Sequence, residues 1–559
     1  MNKKLLAIIG LLLISVLVSW NIFKPGFFSM HDDLQVMRLY EMKRCLNEGQ
    51  IPCRWSPDMS FGYGQPMFNY YSATPYYTGA VFKSLGFSFL FSTKIVMFIS
   101  IALAGIAMFL FLSQFISILP AFVGGAAYIL VPFRALEIFV RGALAENFAL
   151  ALLPLVLYGI IRLIIKKDKI SFVLLSFFSG LFFASHNITT LISSPLILSF
   201  AIILILLNKH RINTLILLSG SAILGIGLAA FFLLPVLFEG NLVNTGFLTS
   251  GYFDFRAHFA TLSQLFINQS WGYGASEFGP NDKLSFSVGI VQSLALIAAP
   301  ITLFINRKSL LKTPKFLLAT FFVFGLLSLF LTSIRSISLW ELITPLSFVQ
   351  FPWRFLGLTA LCSAVVLAVF LSSLNLKSQK TFSILLVFAL FFINFRYFKF
   401  EKSFPSATDD TYLTGPVFEQ SQQSAFFDYR PLSMVTVPEN IAPANPVVLS
   451  GLGEVKNFQK RSAYFSADVD VSFGQATVTF PITAFPDWKV YLNSSITPTP
   501  YQIDKEHGEI TITFNKGITL VQGYFEDTSI RKIANAITFI SLLLVLVIVV
   551  APHDKKNTQ

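Results

Sequence analysis

The sequence predicts an α-helical polytopic membrane protein of about twelve spans with a small extracytoplasmic β-sandwich-like domain before the last span. Three observations carry this. Of the 559 residues 54% are hydrophobic and only 13% charged, and the apolar runs repeatedly exceed the roughly 18 residues that cross a bilayer. Basic residues recur in alternate short loops. Residues 396–530 depart from this composition and alternate polar with apolar side chains.

The spans are expected near residues 4–22, 92–113, 118–134, 147–165, 170–186, 188–207, 213–237, 285–305, 315–333, 355–374, 381–395 and 532–551. Between them Lys3, Lys4, Arg162, Lys166, Lys167, Lys169, Lys209, Arg211, Arg307, Lys308, Lys377, Lys380, Lys555 and Lys556 mark one side. The positive-inside rule makes that side, and both termini, cytoplasmic. Orientation thereby accounts for most of the net charge of +12. The basic residues sit at helix ends and form no patch interleaved with exposed aromatics, which argues against nucleic-acid binding. Of the acids only Asp168 and Asp554 fall inside, so any chemistry belongs outside.

The first span has a basic start and a short apolar centre, as a secretory signal does. No small-x-small cleavage site follows it, and Trp20, Phe23 and Phe27 suit an interfacial belt, so it reads as an uncleaved anchor. It opens into an outer loop, residues 23–91, within a membrane domain of residues 1–395. Asp33 to Leu46 has the spacing of an amphipathic interfacial helix. The Gly- and Pro-rich stretch that follows is expected to be an ordered loop or short interfacial helices. Cys45 and Cys53 share this loop and can pair or remain free thiols, whereas Cys362 lies inside a span. The β-domain is expected over 396–530, and the last span with its basic tail over 531–559.

Walker, dinucleotide-fingerprint, HExxH and G-x-S-x-G patterns are absent. What remains is a set of polar residues that the topology gathers on the outer face. His31, Asp32 and Asp33 follow the first span; Arg134, Glu137, Arg141 and Glu146 lie between the third and fourth; His186 sits in the turn between the fifth and sixth. Glu239 follows the seventh, and Gln350, Trp353 and Arg354 precede the tenth. Ionisable groups near membrane depth are costly unless paired or solvated, which makes this gathering a functional candidate. Plainer uses stand beside it: an Arg141–Glu146 ion pair, His186 as a helix cap, Asp33 as the N-cap of the amphipathic helix, and Arg354 snorkelling to the interface.

Order and motifs together resemble a known group. A first span, an acidic His-Asp-Asp loop with an interfacial helix and a multi-span bundle ending in an outer domain look like the GT-C superfamily of membrane glycosyltransferases. Ile51-Pro52-x-Arg54-Trp55, Gly62-Tyr63-Gly64-x-Pro66, Arg141-Gly142-x-x-Ala145-Glu146, Phe351-Pro352-Trp353-Arg354-Phe355 and Phe485-Pro486-x-Trp488 resemble the bacterial membrane proteins with a 6-pyruvoyl-tetrahydropterin synthase-related domain. These are similar to the YfhO-type glycosyltransferases. The pterin activity does not follow, because the six histidines are scattered over both sides and suggest no zinc site.

The resemblance implies a hexosyltransferase-type enzyme that moves a sugar from a polyprenyl-phosphate carrier to an extracytoplasmic acceptor, a cell-envelope glycan, lipid or protein. Asp32 or Asp33 is then the base or a ligand for a divalent cation, magnesium or manganese. Arg141, His186 and Arg354 are the phosphate and oxyanion candidates, and His31, Arg38, Glu146, Glu239 and Trp353 support them. Many members of the superfamily separate their two acids by one residue. Here they are adjacent, and neighbours on a helix diverge by about 100°, so one ligand is not served equally by both. The aromatic stretches Phe61 to Tyr77 and Trp271 to Gly274 are candidates for the sugar site or for interfacial belts. A transporter or lipid flippase, or an inactive assembly protein, is the alternative; ionisable groups at the outer edge and the lack of an internal repeat disfavour transport.

Overall fold

The computed structural model describes residues 2–279, 281–305 and 312–551. All twelve expected apolar segments are helical. Strand β1 (Phe27–Phe28) follows α1 (Lys3–Val18), and the first loop then carries α2 (Gln35–Asn47), α3 (Met67–Tyr70) and α4 (Thr74–Ser84). The bundle continues with α5 (Phe89–Leu112), α6 (Ile118–Ile129), α7 (Pro132–Phe139), α8 (Leu144–Lys166), α9 (Lys169–Phe183) and α10 (Asn187–Leu207). Next come α11 (Arg211–Leu228), α12 (Ala230–Phe238), α13 (Ile290–Ile305), α14 (Lys312–Thr332), the short α15 (Ile337–Leu342), α16 (Leu356–Ser372) and α17 (Leu376–Asn394). Strand β2 (Ser403–Phe404), α18 (Asp409–Leu413) and α19 (Gly415–Ser424) precede the main sheet, and α20 (Ser529–Val550) closes the described chain.

Length separates these helices. Among the described residues eight are long and apolar enough to cross a membrane, or nine if α6 and α7, bent by 41°, form one broken span. Pro132 explains the bend, since a proline starts a helix well but leaves the preceding residue extended. Helices α1 and α9 have 16 and 15 residues. At about 1.5 Å per residue they fall short of a hydrocarbon core of roughly 30 Å. Against the expectation of about twelve spans, the described helices thus carry eight or nine candidates by length and composition. Arg162, Lys166, Lys167, Lys169, Lys209, Arg211, Lys377 and Lys380 lie near helix ends or in the short turns between helices. Arg307, Lys308, Lys555, Lys556, His553 and Asp554 lie outside the described residues.

The β-region is one hydrogen-bonded antiparallel sheet, not the two facing sheets of the expected sandwich. Its strands are β3 (Val447–Lys460), β4 (Tyr464–Thr483), β5 (Trp488–Leu492), β6 (Gln502–Ile503) and β7 (Glu509–Phe525), in the order β3-β4-β7-β5 with β6 also on β7. Strands β4 and β7 pair over nearly their whole length, interrupted by an irregularity between Val471 and Gln475, so the alternation read from sequence belongs to a few long strands. Their buried face, including Phe465, Val469, Val478, Phe480, Val490 and Ile510, closes on Trp55 and Tyr70 of the first loop.

Strand content begins later than residue 396. Apart from β2, which pairs with β1, residues 396–446 build onto the first loop: the Phe61 amide donates to the Gln422 carbonyl at 2.9 Å and the Ala442 amide to the Phe61 carbonyl at 2.8 Å. Cys45 and Cys53, left open above, form a disulfide in that loop, and Cys362 is buried in α16.

Candidate functional site

The acidic triplet is stitched to the α7–α8 turn through backbone. The His31 amide donates to the Val140 carbonyl and the Asp32 amide to the Arg141 carbonyl, both at 2.9 Å. Gly142 allows this approach. Its φ of +65° suits glycine, and a Cβ there would lie 2.3 Å from Met30 Sδ.

Asp32 and Asp33 have different surroundings. Asp32 accepts from Arg38 Nη1 on both oxygens, at 2.7 and 2.8 Å, and from Gln35 Nε2 at 2.8 Å. Gln35 in turn accepts from the Tyr76 hydroxyl at 2.6 Å. Arg38 Nη2 donates to Asp428 at 2.7 Å, and the guanidinium lies 4.4 Å over the Tyr71 ring. Burial opposes the Arg38 charge, but Asp32, with Tyr71 and Asp428, outweighs it and raises its pKa. Burial raises the Asp428 pKa despite Arg38.

Among the described residues Asp33 takes part in no ion pair, and it does not cap α2, whose N-cap is Leu34. The expected capping role is thus not realised, because the helix begins one residue later. Solvent reaches Asp33, yet partial desolvation, and after it the charge of Asp32, raise its pKa above the usual carboxylate value.

A second group adjoins the first. Glu146, in the first turn of α8, accepts from Arg141 Nη1 at 2.8 Å and lies 3.2 Å from Arg354 Nε. Arg141 also pairs with Glu137 and lies 4.6 Å over the Trp353 ring, while Trp353 Nε1 donates to Ser276 Oγ at 3.2 Å. Arg354 Nη1 donates to the Val349 carbonyl at 2.8 Å and to Gln350 at 2.9 Å. The Arg141–Glu146 ion pair is therefore real. The turn before α8 folds Arg141 back onto Glu146, a contact their spacing of five on one helix would not make. Carboxylates already accompany both arginines expected to hold phosphate.

His186 is the N-cap of α10, its Nδ1 3.2 Å from the Thr189 amide and 2.8 Å from Thr189 Oγ1. It caps a helix, and it also lies within electrostatic reach of Glu146, Arg354 and Arg141. Tyr429 is likewise within reach of both Arg38 and Arg354, linking the two groups. Asp32, Arg38, Arg141, Glu146, His186, Trp353 and Arg354 thus form one neighbourhood. His31 faces a neighbouring loop, its Nε2 2.8 Å from the Tyr273 carbonyl oxygen.

Glu239 belongs elsewhere. It pairs with fully buried Arg531 of α20 at 2.8 Å, in a network where Arg54 meets Asp527 at 3.0 Å and Asn535 at 2.7 Å. Its expected support of the site is corrected: its charge is committed to the last helix. Asp428 and Tyr429 were not singled out from sequence, and Tyr71 only as part of the aromatic stretch Phe61 to Tyr77. Asp428 lies among Phe427, Tyr429 and Arg430, in a segment assigned to the β-domain, where an acid flanked by aromatics was the available signal.

The donors do not fit a resident divalent cation at the aspartate pair. Hard cations take about six or more oxygens, and both Asp32 oxygens already serve Arg38 and Gln35. Three potential ligands, Asp504, His507 and Glu509, come within 4.8 Å of one another on the β6–β7 turn instead, where Asp504 already accepts two backbone amides. The aromatic stretches divide as well: Phe61 and Tyr63 are buried against Phe426 and Met434, whereas Trp271 and Tyr273 line a cavity.

Residues 68–400 match the family described as 6-pyruvoyl-tetrahydropterin synthase related domain, membrane protein. A Lactococcus lactis subsp. cremoris protein described as uncharacterized is 23% identical over 305 residues, 53% of this chain and 48% of that protein. The match thus spans about half the length of that relative. Among solved structures, the mycobacterial arabinofuranosyltransferase AftD superposes with a TM-score of 0.44 at 16% identity, over 70% of this chain and 26% of that one. The Archaeoglobus fulgidus oligosaccharyltransferase gives 0.46 at 13% identity over 80% and 62%. ArnT from Cupriavidus metallidurans, bound to undecaprenyl phosphate, gives 0.29 at 12% identity over 66% and 77%.

Proposed function

The chain belongs to the family of membrane proteins with the 6-pyruvoyl-tetrahydropterin synthase related domain, and from that premise we propose that it is a glycosyltransferase using a polyprenyl-phosphate sugar. The acceptor is extracytoplasmic, the face carrying the 23–91 loop being the outer one by the distribution of Lys and Arg. One observation carries the proposal: of two adjacent acids, Asp32 is tied by Arg38 and Gln35 while Asp33 has no ion-pair partner among the described residues and a raised pKa. A general base needs a free lone pair and more basicity than an ordinary carboxylate. Asp33 meets both needs, and Asp32 with Arg38 and Asp428 positions the loop that carries it.

In the proposed step the acceptor hydroxyl gives its proton to Asp33 as its oxygen bonds to the anomeric carbon. The bond from that carbon to the carrier phosphate breaks, and the phosphate leaves with the electron pair. A single in-line displacement inverts the anomeric centre. Arg141 and Arg354 stabilise the leaving phosphate, with Glu137 and Glu146 holding them in place and moderating their charge. No step passes through a metal ion, and turnover is expected to persist in EDTA.

The test is consumption of a polyprenyl-phosphate sugar by the purified full chain. Asp33→Asn should lower turnover by roughly 10²- to 10⁴-fold with the protein still inserting and melting normally. Asp32→Asn should retain more activity than Asp33→Asn. Full activity in both variants and in the double variant would sink the assignment.

A further inference from the structure

A cavity of 450 Å³ lies beside the acidic triplet, lined by Trp271, Tyr273, Asp282, Lys283 and Glu401 among others. Its volume falls within the roughly 300–1,000 Å³ usual for small-molecule sites. Backbone pairing builds it: Tyr273 bridges Leu284 in antiparallel fashion, and the Gly274 amide donates to the Lys283 carbonyl at 3.3 Å. The two glycines permit that approach, since a Cβ on Gly272 would lie 1.9 Å from the Lys283 carbonyl oxygen and one on Gly274 2.3 Å from Lys283 Cβ.

The aromatic wall is fixed before any ligand arrives. Trp271 stacks on Tyr397 at 4.7 Å, and the Tyr273 ring stands perpendicular to it at 6.4 Å. The Tyr273 hydroxyl donates to the Lys399 carbonyl at 3.1 Å. Asp282 is held by the Glu277 amide at 2.7 Å and by Gln264 Nε2 at 2.8 Å. Glu401 is exposed, and Lys283 is 3.7 Å from Glu277.

A sugar ring matches this chemistry. Its apolar C–H face packs on an aromatic ring while its hydroxyls donate to carboxylates. The lining sets two carboxylates against one ammonium, which favours a neutral or amino-bearing sugar over a sugar acid. His31 bonds the Tyr273 carbonyl at 2.8 Å, so this wall is tied to the residue preceding Asp32 and Asp33. We infer that the cavity is a binding subsite for a neutral or amino sugar and, resting on the glycosyltransferase reading above, that this sugar is part of the acceptor.

Binding is measured by calorimetry on the purified full chain with maltose, a glucosamine disaccharide and a uronic-acid disaccharide. The first two should bind and the third should bind more weakly. Trp271→Ala should weaken binding roughly tenfold, about 1.4 kcal/mol, and Trp271→Phe should retain most of it. Glu401→Gln, at an exposed position that tolerates change, should weaken the amino sugar more than maltose. Preference for the uronic sugar, no binding of any of the three, or affinities unmoved by both Trp271→Ala and Glu401→Gln would overturn the subsite. The two readings fail separately. Sugar binding with these dependences but no consumption of a polyprenyl-phosphate sugar removes the acceptor role and leaves the sugar subsite standing. Transfer whose acceptor KM is unmoved by both variants overturns the subsite and leaves the glycosyltransferase reading intact.

Discussion

Two buried networks of arginines and carboxylates lie on the same side of the bundle, and they are built differently. At the last helix, Arg54 and Arg531 meet Asp527 and Glu239, drawing together the first loop, the end of α12 and α20. Arg531 is fully buried, with Phe485 and Phe525 ring centroids 5.2 and 5.1 Å from its guanidinium. Each acid there has a cationic partner from another element. Around Arg38 the same chemistry stops one group short: Asp32 and Asp428 are paired, and among the described residues Asp33 is not. A network whose acids are all paired fastens elements together, whereas one that leaves a carboxylate available can do chemistry. The two family-like motifs around Arg54 and Phe485 accordingly belong to the fastening.

Glu239→Gln should show the larger stability effect. It strips fully buried Arg531 of its carboxylate, and breaking a buried pair on one side costs about 3–5 kcal/mol. The expected result is a large fall in melting temperature, with activity per folded molecule nearly unchanged. Asp33→Asn should do the reverse, changing stability by no more than about 0.5 kcal/mol. If Glu239→Gln abolished turnover at unchanged stability, the distinction between the networks would break.

A smaller effect sharpens the pairing inside the site. Desolvation and the Asp32 charge both raise the pKa of Asp33, so the acid limb of the kcat/KM profile should lie above the usual aspartate value of about 4. A neighbouring negative charge opposes ionisation. Removing it with Asp32→Asn should therefore lower the Asp33 pKa and move the limb to lower pH. A limb that stays in place would show that Asp33 is not the titrating base.

How much of this was legible follows from the range of the signal. Hydropathy is local, so all twelve apolar segments appeared in the sequence; helix ends are set by caps and prolines, so the shortness of α1 and α9 did not. The triplet was visible as two acids beside a membrane edge, and Arg141, His186 and Arg354, gathered with it from topology, lie within electrostatic reach of one another. Asp428 was hidden because its partner Arg38 is 390 residues away in sequence. Glu239 was misplaced for the same reason, its partner being 292 residues distant. The sandwich expectation failed because alternation reports a half-buried strand without reporting strand length or the number of sheets.

The smallest effect concerns the seam between the sheet and the first loop, where charge is neither fully paired nor free. Burial, and after it Asp504, raise the Glu509 pKa to about 7, against the opposing pull of Lys460. The unfolded value is about 4.3, so between roughly pH 4.3 and 7 the native state holds a proton that the unfolded chain has released. Stability contributed by this group is present below that window and is lost as pH rises through it. Glu509→Gln keeps the side chain neutral throughout. It should stabilise the full chain at pH 8, by a figure on the order of 1 kcal/mol, and change little at pH 4, both read from thermal unfolding. Destabilisation at pH 8 would mean that an ionised Glu509 attracts Lys460 strongly enough to fasten the sheet, placing this seam with the network at the last helix.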